Sequence, residues 1–567
     1  MSPMQKAKQQ VLQEIKTAVG NGFSPAVSEL TNPPECAMGD IAFPCFVLAK
    51  KLQKNPNEIA TEIAAKIGPK DCIARVQAQG PYVNFTLSSS FGTCVLKEIH
   101  EKKEAYGCSV TGEGKRLMVE YANLNTHKDV HIGHLRNLFL GQTLVRILQA
   151  SGYEVIPVAY INDLGAHVAK SIWAIEKFHR EEVVPKEKRM DFLRNVYTEA
   201  TKAVAENPSY QAEVSQVFRA LEERNGPSVK IWEETWQWSV DFLNEVYDEL
   251  GLTLEKWYFE SELIAKTKKL IEELIQKGIV VQSQGAWIVD LEKEKLGVNL
   301  LVKTDGTLLY NAKDLALAMK KEEDAHPMKS IYIVDARQSH ALQQLFATLT
   351  RMKFDHELFH LSYEFVTLSD GAMASRTGNV IRYEAFRDQL IEQARGATQD
   401  RHPMWKQKRV ETVARGIAFA AMRFGMLRQD VEKKIVFDYQ EALSFDGFSG
   451  PYLLYTYARI RSVRKKAGRA KPVLSAEALI DPREHQLIVH LAKYPELLFE
   501  LSQSYEVSQL AHYIFGLAKL FSEYYNDVHI LTEDKKISAQ RLGLMCAVEQ
   551  VFRNGLTLMA IDLIEEM

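Results

Sequence analysis

The apolar positions of the first hundred residues begin at helical spacing. From Met1 to Lys16 they alternate with Lys, Gln and Glu as in an amphipathic helix, and Asn57 to Ile67 repeats that period. Ala74-Arg75-Val76-Gln77-Ala78 and Tyr82-Val83-Asn84-Phe85 read as two short strands with Gly80-Pro81 between them, and Gly107 to Lys115 reads as a linker. The pattern predicts a small α+β domain over residues 1–110. Beyond it, Leu117-Met118-Val119-Glu120-Tyr121 has the continuous apolar character of a buried strand. Leu135 to Ala150 sets Leu135, Leu138, Phe139, Val145 and Leu148 on one helical face, Gly152 stops that helix, and Val155 to Ile161 supplies another strand. This strand-helix-strand unit predicts a Rossmann-like, doubly wound domain over residues 111–400, and the absence of G-x-G-x-x-G from its turn excludes a dinucleotide fingerprint.

Charged helical patterns dominate residues 170–285, among them Val229 to Leu250 with Trp232, Trp236, Trp238, Phe242 and Val246, and predict a helical insertion. Strand patterns at Ala286–Asp290, Asn299–Val302 and Ser330–Val334 are expected to continue the open parallel sheet. After about residue 405 strand signals nearly vanish, so residues 401–567 are predicted to form a separate all-α bundle. The fold class is therefore multidomain α/β, and 567 residues suit such a division, since one core stops growing well below that length.

Composition adds limits. Apolar residues at 46% and charged residues at 25% are ordinary for a globular protein, and no apolar run is long enough to span a membrane. The start lacks the apolar core of a secretory signal, which leads to the expectation of a cytoplasmic protein with no membrane partner. Six cysteines, at 36, 45, 72, 94, 108 and 546, form no C-x-x-C pair and are expected to be reduced; no structural metal is predicted. A net charge of -3 offers no global attraction to nucleic acid, so a polyanion must meet a local patch. Arg459, Arg461, Arg464, Lys465, Lys466, Arg469 and Lys471 make such a run with no acidic residue in it, preceded by Tyr452, Tyr455 and Tyr457. A run of this kind is usually a solvated helix face; behind tyrosines it suits single-stranded RNA, whose bases stack on aromatic rings.

The chemistry centres on His131-Ile132-Gly133-His134, between a strand and a helix. Free backbone N–H groups and the positive end of the helix dipole gather where a strand turns into a helix, which suits phosphates, and Gly133 lets a nucleotide approach the backbone. Alone, two histidines and a glycine could meet by chance. Around them, however, Val119-Glu120-Tyr121-Ala122-Asn123-Leu124-Asn125 and Lys128-Asp129-Val130-His131-Ile132-Gly133-His134-Leu135-Arg136-Asn137 resemble the signature of the arginyl-tRNA synthetases. Tyr160-Ile161-Asn162-Asp163-Leu164-Gly165, Val302 to Gly306, Tyr310 to Ala316 and Val334 to Gln338 are similar to further segments of that family, in its order, from about residue 36 to the C-terminus.

The resemblance implies a ligase that uses ATP with Mg2+, L-arginine and tRNA(Arg), acting as a monomer. It implies that the residues at Tyr310, Asp314 and Glu120 hold the guanidinium and those at Asn125 and Gln338 the α-amino end, and that His131, Gly133 and His134 hold ATP. On chemistry alone, a planar permanent cation asks for carboxylates, and Tyr310 and Asp314 share a face if a helix begins at Tyr310. The plainer readings remain an ion pair for Glu120 and a helix-start charge for Asp314. One motif departs from the family: where class I enzymes carry K-M-S-K-S, this chain has Ala372-Met373-Ala374-Ser375-Arg376, without lysine. Met373 and Ser375 are expected beside ATP, while Lys128, upstream of the histidines, with Arg376 assisting, is expected to supply the positive charge that phosphoryl transfer requires. For the tRNA, the resemblance places Tyr82, Asn84 and Phe85 in a D-loop-binding domain and Arg459, Tyr525 and Met567 beside the anticodon; Ile564-Glu565-Glu566 departs from the family's usual ending. Two other classes share parts of this pattern. A small-substrate nucleotidyltransferase would have the histidine turn without need of the basic bundle, and a non-catalytic tRNA-binding protein would have the bundle without the arginine pocket.

Overall fold

Leu117, Met118 and Val119 are apolar in succession because their strand is covered on both faces, as a central parallel strand must be. In the structure, a computed structural model that describes residues 1–20, 23, 25–368 and 381–567, the strand Arg116–Glu120 lies at the middle of a five-stranded sheet. On one side of it run Glu154–Ile161 and then Lys256–Phe259, on the other Lys329–Asp335 and then Glu357–Tyr363, every neighbour parallel. The chain leaves the central strand in one direction and returns on its other side. The sheet therefore has a switch point at the carboxyl end of Arg116–Glu120, where ligands bind in folds of this kind.

Two expectations about the sheet are corrected. Ala286–Asp290 and Val298–Val302 do not extend it; with Val281–Ser283 they form a separate three-stranded antiparallel sheet. Parallel neighbours need a crossover of about a dozen residues or more, and these connections are too short for one. They turn instead at Gly285 and Gly297, whose φ of 82° and 66° suit glycine. The outermost strands of the parallel sheet, Lys256–Phe259 and Glu357–Tyr363, are only partly covered; the first is four residues long, with the short run Trp257-Tyr258-Phe259, and it interrupts the stretch expected to be helical.

The helix Ile132–Ala150 was expected to bury one face and is instead buried nearly all round, because the helices Gln407–Leu427 and Pro482–Ser504 pack on the side away from the sheet. Its polar side chains are consequently paired inside the protein. Asn137 accepts from the Ala122 N–H (2.8 Å) and donates to the Ile333 carbonyl (2.6 Å), joining the central strand's end to its neighbour. Arg136, without a carboxylate partner among the described residues, donates to the carbonyls of Lys433 and Asp430, both at 2.8 Å, and to that of Glu364. Burial pushes this guanidinium down to about 10. Arg136→Met should strand those carbonyls and lower the unfolding free energy by about 3 kcal/mol, read by urea denaturation; a loss below about 1 kcal/mol would show that water takes the guanidinium's place.

The N-terminal residues form a three-stranded antiparallel sheet in the order Ile41–Pro44, Tyr82–Leu87, Ile73–Gln79, with Pro3–Val19, Pro56–Lys66 and Ser89–Lys102 as its main helices. This unit sits on the C-terminal bundle through Lys8–Glu496 at 2.7 Å, His485–Asp40 at 2.8 Å and the Tyr106 hydroxyl on the Leu491 carbonyl at 3.0 Å. The bundle comprises Gly450–Ala467, Pro482–Ser504, Ser508–Asp527 and Lys535–Leu558, against which Tyr383–Arg401 and Gln407–Leu427 pack. Gly450 is required where two helices touch, since a Cβ there would stand 2.2 Å from the Ala420 carbonyl oxygen. Cys45, Cys72, Cys94, Cys108 and Cys546 are free thiols.

Candidate active site

Between the central strand and the helix that begins at Ile132, the chain makes a turn whose shape is set from outside it. Ala122 and His127 adopt φ of 60° and 57°. The inserted helix Ser228–Glu249 holds both: the Tyr247 hydroxyl donates to the Ala122 carbonyl (2.9 Å), and Ser239 Oγ accepts from the His127 N–H (3.1 Å). Another inserted helix, Arg189–Glu206, grips the same turn, with Arg194 forked onto Asp129 at 2.7–3.0 Å. The insertion thus braces the turn, a role its charged pattern did not reveal.

His131 is the N-cap of the helix and His134 stands at its third position, their rings stacked 3.5 Å apart. His134 Nδ1 accepts from the His131 N–H at 3.1 Å, so its proton resides on Nε2. Burial pushes His131 down to about 4 and His134 well below its ordinary value. Near neutral pH both rings are uncharged, and they offer an N–H donor and a flat face to a nucleotide, without positive charge. Lys128, exposed on the same turn, brings an ammonium whose basicity is lowered from the ordinary lysine value by partial desolvation. Gly133 occupies the first turn of the helix. Met373, Ser375 and Arg376 lie outside the described residues; just after that segment, Arg382 pairs with His131 as an isolated antiparallel bridge, and the Ile132 N–H donates to the Ile381 carbonyl at 3.1 Å.

Beside the turn, where the central strand ends, acidic side chains cluster. A helix does begin at Tyr310, so Tyr310 and Asp314 share a face, with the Tyr310 side chain 56% exposed at the rim. Asp314 has no hydrogen-bond or ion-pair partner among the described residues. Burial, then the charges of Glu120 and Glu260, push its carboxyl up to about 7, against the pull of Lys321 and Lys313. Glu260 was not foreseen. It starts the helix after the strand Lys256–Phe259, pairs through one oxygen with Lys313, and keeps its other oxygen buried without a partner; burial pushes it up to about 7 as well. The Tyr160 hydroxyl is a third unpartnered buried group in the same field of carboxylates. Glu120 is differently placed: one oxygen accepts from Asn123 at 2.8 Å and the other pairs with the buried Lys321, the plain ion pair that its sequence context allowed. Asn125 bridges to Asn162 beyond the strand Glu154–Ile161, and exposed Gln338 caps the helix after the strand Lys329–Asp335, so both border the carboxyl end of the sheet.

The residues expected at tRNA fall into two places. Tyr82 is exposed and meets Phe46 edge-on with ring centroids 5.9 Å apart, an exposed aromatic pair. Asn84 is nearly covered and Phe85 is wholly in the core, so Phe85 can only support that surface from below, which corrects its expected place at the interface. In the bundle, Arg459, Tyr525 and Met567 line one cavity of about 860 Å³. Its wall adds His402 and Trp405, stacked 3.8 Å apart, and Arg409 lies 3.9 Å above Trp405. The basic run around it is less free than its sequence suggested. Arg461 and Arg464 are held by Glu549, while Glu565 and Glu566 pair with Arg461 (3.0 Å) and Lys465 (2.9 Å).

Comparison with known proteins finds matches along the chain. The description "tRNA synthetases class I (R), catalytic domain" matches residues 95–440, "DALR anticodon binding domain" residues 453–567, and "Arginyl tRNA synthetase N terminal domain" residues 5–87. The chain is 35% identical over 572 aligned positions to an arginine–tRNA ligase of Bdellovibrio bacteriovorus, covering 98% of each. It is 33% identical to one of Clostridium perfringens, covering 99% of this chain and 100% of that one. Among solved structures, the arginyl-tRNA synthetase of Thermus thermophilus superposes with a TM-score of 0.81 at 24% identity over 99% of this chain and 100% of the other. The arrangement of turn, carboxylate pocket and helical bundle, with matches that span the chain, places this protein in the class I arginyl-tRNA synthetase family.

Proposed function

We propose that the chain is an arginine–tRNA ligase whose amino-acid site is the pocket around Asp314. The observation that carries the reading is the set of acceptors there without a hydrogen-bond or ion-pair partner among the described residues: one oxygen of Glu260 and the Tyr160 hydroxyl, both buried, together with the Asp314 carboxylate, all within one field of negative charge. A guanidinium has five donors in a plane and no acceptor, and it answers that set. Tyr310 covers its face at the rim, Glu120 stands behind the pocket, and Asn125 and Gln338 receive the α-amino end. The substrate's carboxylate is then directed toward the histidine turn.

There the carboxylate attacks the α-phosphorus of magnesium-bound ATP, pyrophosphate leaves, and arginyl-adenylate forms. His131 and His134, with the backbone at Gly133, hold the nucleotide, and Lys128, assisted by Arg376, supplies charge at the phosphates, with Met373 and Ser375 as further ATP contacts on the family's pattern. The 2′-hydroxyl of the terminal adenosine of tRNA(Arg) next attacks the adenylate carbonyl and releases AMP. Positioning and electrostatics carry both steps, so no side chain is needed as a nucleophile. The cavity of Arg459, Tyr525 and Met567 receives anticodon bases, and the Tyr82 surface with Asn84 meets the D-loop corner. The enzyme acts in the cytoplasm as a monomer, on the family's pattern.

Arginine-dependent exchange of pyrophosphate into ATP, run with and without tRNA, tests the reading; silence in both would overturn it. A pH dependence follows from the pocket. Arginine requires the ionised Asp314, whose carboxyl is raised to about 7 in the free protein. The KM for arginine should therefore fall as pH rises from 6 to 8 and level off above, changing by about tenfold per unit on the acid side. A flat KM across that range would remove Asp314 from the site.

A further inference from the structure

The nucleotide turn is held from two sides. At its start, Tyr247 and Ser239 of the inserted helix Ser228–Glu249 bond the Ala122 carbonyl and the His127 N–H. At its end, residues 381–383 run beside it: the Ile381 carbonyl accepts from the Ile132 N–H at 3.1 Å, Arg382 bridges to His131, and the Tyr383 N–H donates to the Val130 carbonyl at 2.8 Å. The two holds meet at one carboxylate. Tyr383, wholly buried at the start of the helix Tyr383–Arg401, donates its hydroxyl at 2.6 Å to Glu249, the last residue of the inserted helix. Arg387 from the same helix as Tyr383 and Arg415 from Gln407–Leu427 donate to that carboxylate at 2.8 and 2.9 Å. Burial works against its ionisation, yet the hydrogen bonds from Tyr383, Arg387 and Arg415 hold it below the ordinary glutamate range, so it is an anion near neutral pH. The two residues that follow are tied as well: Arg423 donates to the Leu250 carbonyl at 2.6 Å, and Gln142 of the histidine helix to that of Gly251.

We propose that Glu249, joined to Tyr383, is a positioning residue for adenylate formation: it fixes the two flanks of the nucleotide turn relative to each other, so that His131, His134 and Lys128 meet ATP together. The inference rests on the assignment of that turn to ATP. Ala122 and His127 stand in the left-handed region without being glycine, and such residues keep that conformation only while their surroundings over-determine it. Each hold determines one end of the turn. Tyr247 and Ser239 act before Lys128, whereas Ile381, Arg382 and Tyr383 act at Val130, His131 and Ile132. Tyr383 is the link between them, since its N–H is bonded to the turn and its hydroxyl to the end of the inserted helix.

The plainer role for Glu249 is to neutralise two arginines. Arg387, however, also pairs with Asp388 at 2.7 Å, and the side chain of Arg415 is 48% exposed, so water can serve its charge. Ion pairs of that kind add little to stability. The Tyr383 hydroxyl differs from both, because it is buried and rigidly carried and no second acceptor is bonded to it among the described residues. What the cluster adds beyond neutralisation is placement. A shift of about 1 Å in a group that binds the reacting atoms is enough to slow a reaction by about a hundredfold.

The test is arginine-dependent pyrophosphate exchange, with tRNA present, for the wild type, Tyr383→Phe, Glu249→Gln and the double variant, beside their thermal unfolding. Tyr383→Phe keeps the buried ring and removes only the hydroxyl. It should lower kcat by about tenfold and raise the KM for ATP by about threefold, while the KM for arginine stays within about twofold. Glu249→Gln weakens all three bonds and should lower kcat by about thirtyfold with the same split between the substrates. Because Tyr383 acts through Glu249, the double variant should be no slower than Glu249→Gln. A merely structural role would lower the melting temperature and leave kcat per folded enzyme unchanged, or would raise both KM values together; either result overturns the proposal. Losses that add in the double variant overturn it too, since the two residues would then act by separate routes. Should Glu249→Gln fail to fold, Tyr383→Phe decides alone by its kcat and its split. A wild type without exchange refutes the assignment of the turn to ATP, whereas an active wild type matched by Tyr383→Phe in kcat and both KM values refutes the role of Glu249 alone.

Discussion

Asp314→Asn is expected to lower the arginine kcat/KM by about a thousandfold, roughly 4 kcal/mol, while the KM for ATP stays within about twofold. Asparagine keeps the shape of the side chain and removes its charge. It also turns an amide N–H₂ toward a guanidinium that can only donate, so the loss combines a missing ion pair with a donor facing a donor. Pyrophosphate exchange at varied arginine measures it, and a KM within about twofold of wild type would mean that Glu260 and Tyr160 suffice as acceptors. The same variant makes an independent forecast about stability. The folded-state carboxyl is raised to about 7, above its value of about 4 in an unfolded chain. Relative to the unfolded chain, the native state therefore favours the protonated form. The stability this group contributes is complete below about pH 4 and is lost as pH rises through 7. Without arginine, the Asn variant should thus melt above the wild type at pH 8 and close to it near pH 4. A lower melting temperature at pH 8 would indicate that Asp314 has a structural partner.

This opposition, a site residue that costs the free protein stability, also explains what the sequence could and could not reveal. The strand-helix-strand unit over Leu117 to Ile161 was legible because its apolar runs reflect burial, and burial is what periodicity reports. Tyr310 and Asp314 were legible because an i, i+4 pair depends only on where a helix begins. Lys256–Phe259 escaped notice because its run Trp257-Tyr258-Phe259 is short and sits within a charged helical pattern, and with it went Glu260, whose place among the carboxylates follows from that strand's position in the sheet. Lys321 was equally hidden. It lies seven residues beyond Asp314 in a charged stretch, Lys320-Lys321-Glu322-Glu323-Asp324, and its total burial is visible only once the helix is laid against the central strand. The histidine turn was legible as a motif, but the neutrality of both rings depends on their surroundings. In the basic run, sequence showed charges and omitted their partners, since Glu549 stands 85 residues from Arg464.

Neutral histidines leave a vacancy in the chemistry of the first step, and Lys128→Ala is expected to expose it. As arginine attacks ATP, negative charge builds on the oxygens of the α-phosphorus and on departing pyrophosphate, and a fixed cation must meet it. His131, pushed down to about 4 by burial, and His134, pushed well below its ordinary value, cannot be that cation near pH 7. The lysines of the usual class I loop are absent from Ala372-Met373-Ala374-Ser375-Arg376. Lys128 is a cation of the turn itself, and the fork from Arg194 to its neighbour Asp129 keeps the surrounding backbone in place. Removing it should cut the rate of adenylate formation by about a hundredfold to a thousandfold, roughly 3–4 kcal/mol, as the loss of one preorganised charge does elsewhere. The KM for arginine should move by less than about twofold, because an interaction made mainly in the transition state acts on kcat. Lys128→Arg should recover part of the rate, since it restores charge with a different reach. Rapid-quench measurement of arginyl-adenylate with tRNA bound separates this step from transfer. If Lys128→Ala keeps the wild-type rate within about threefold, the charge resides instead with Arg376, and Arg376→Ala should then show the deficit that Lys128→Ala did not.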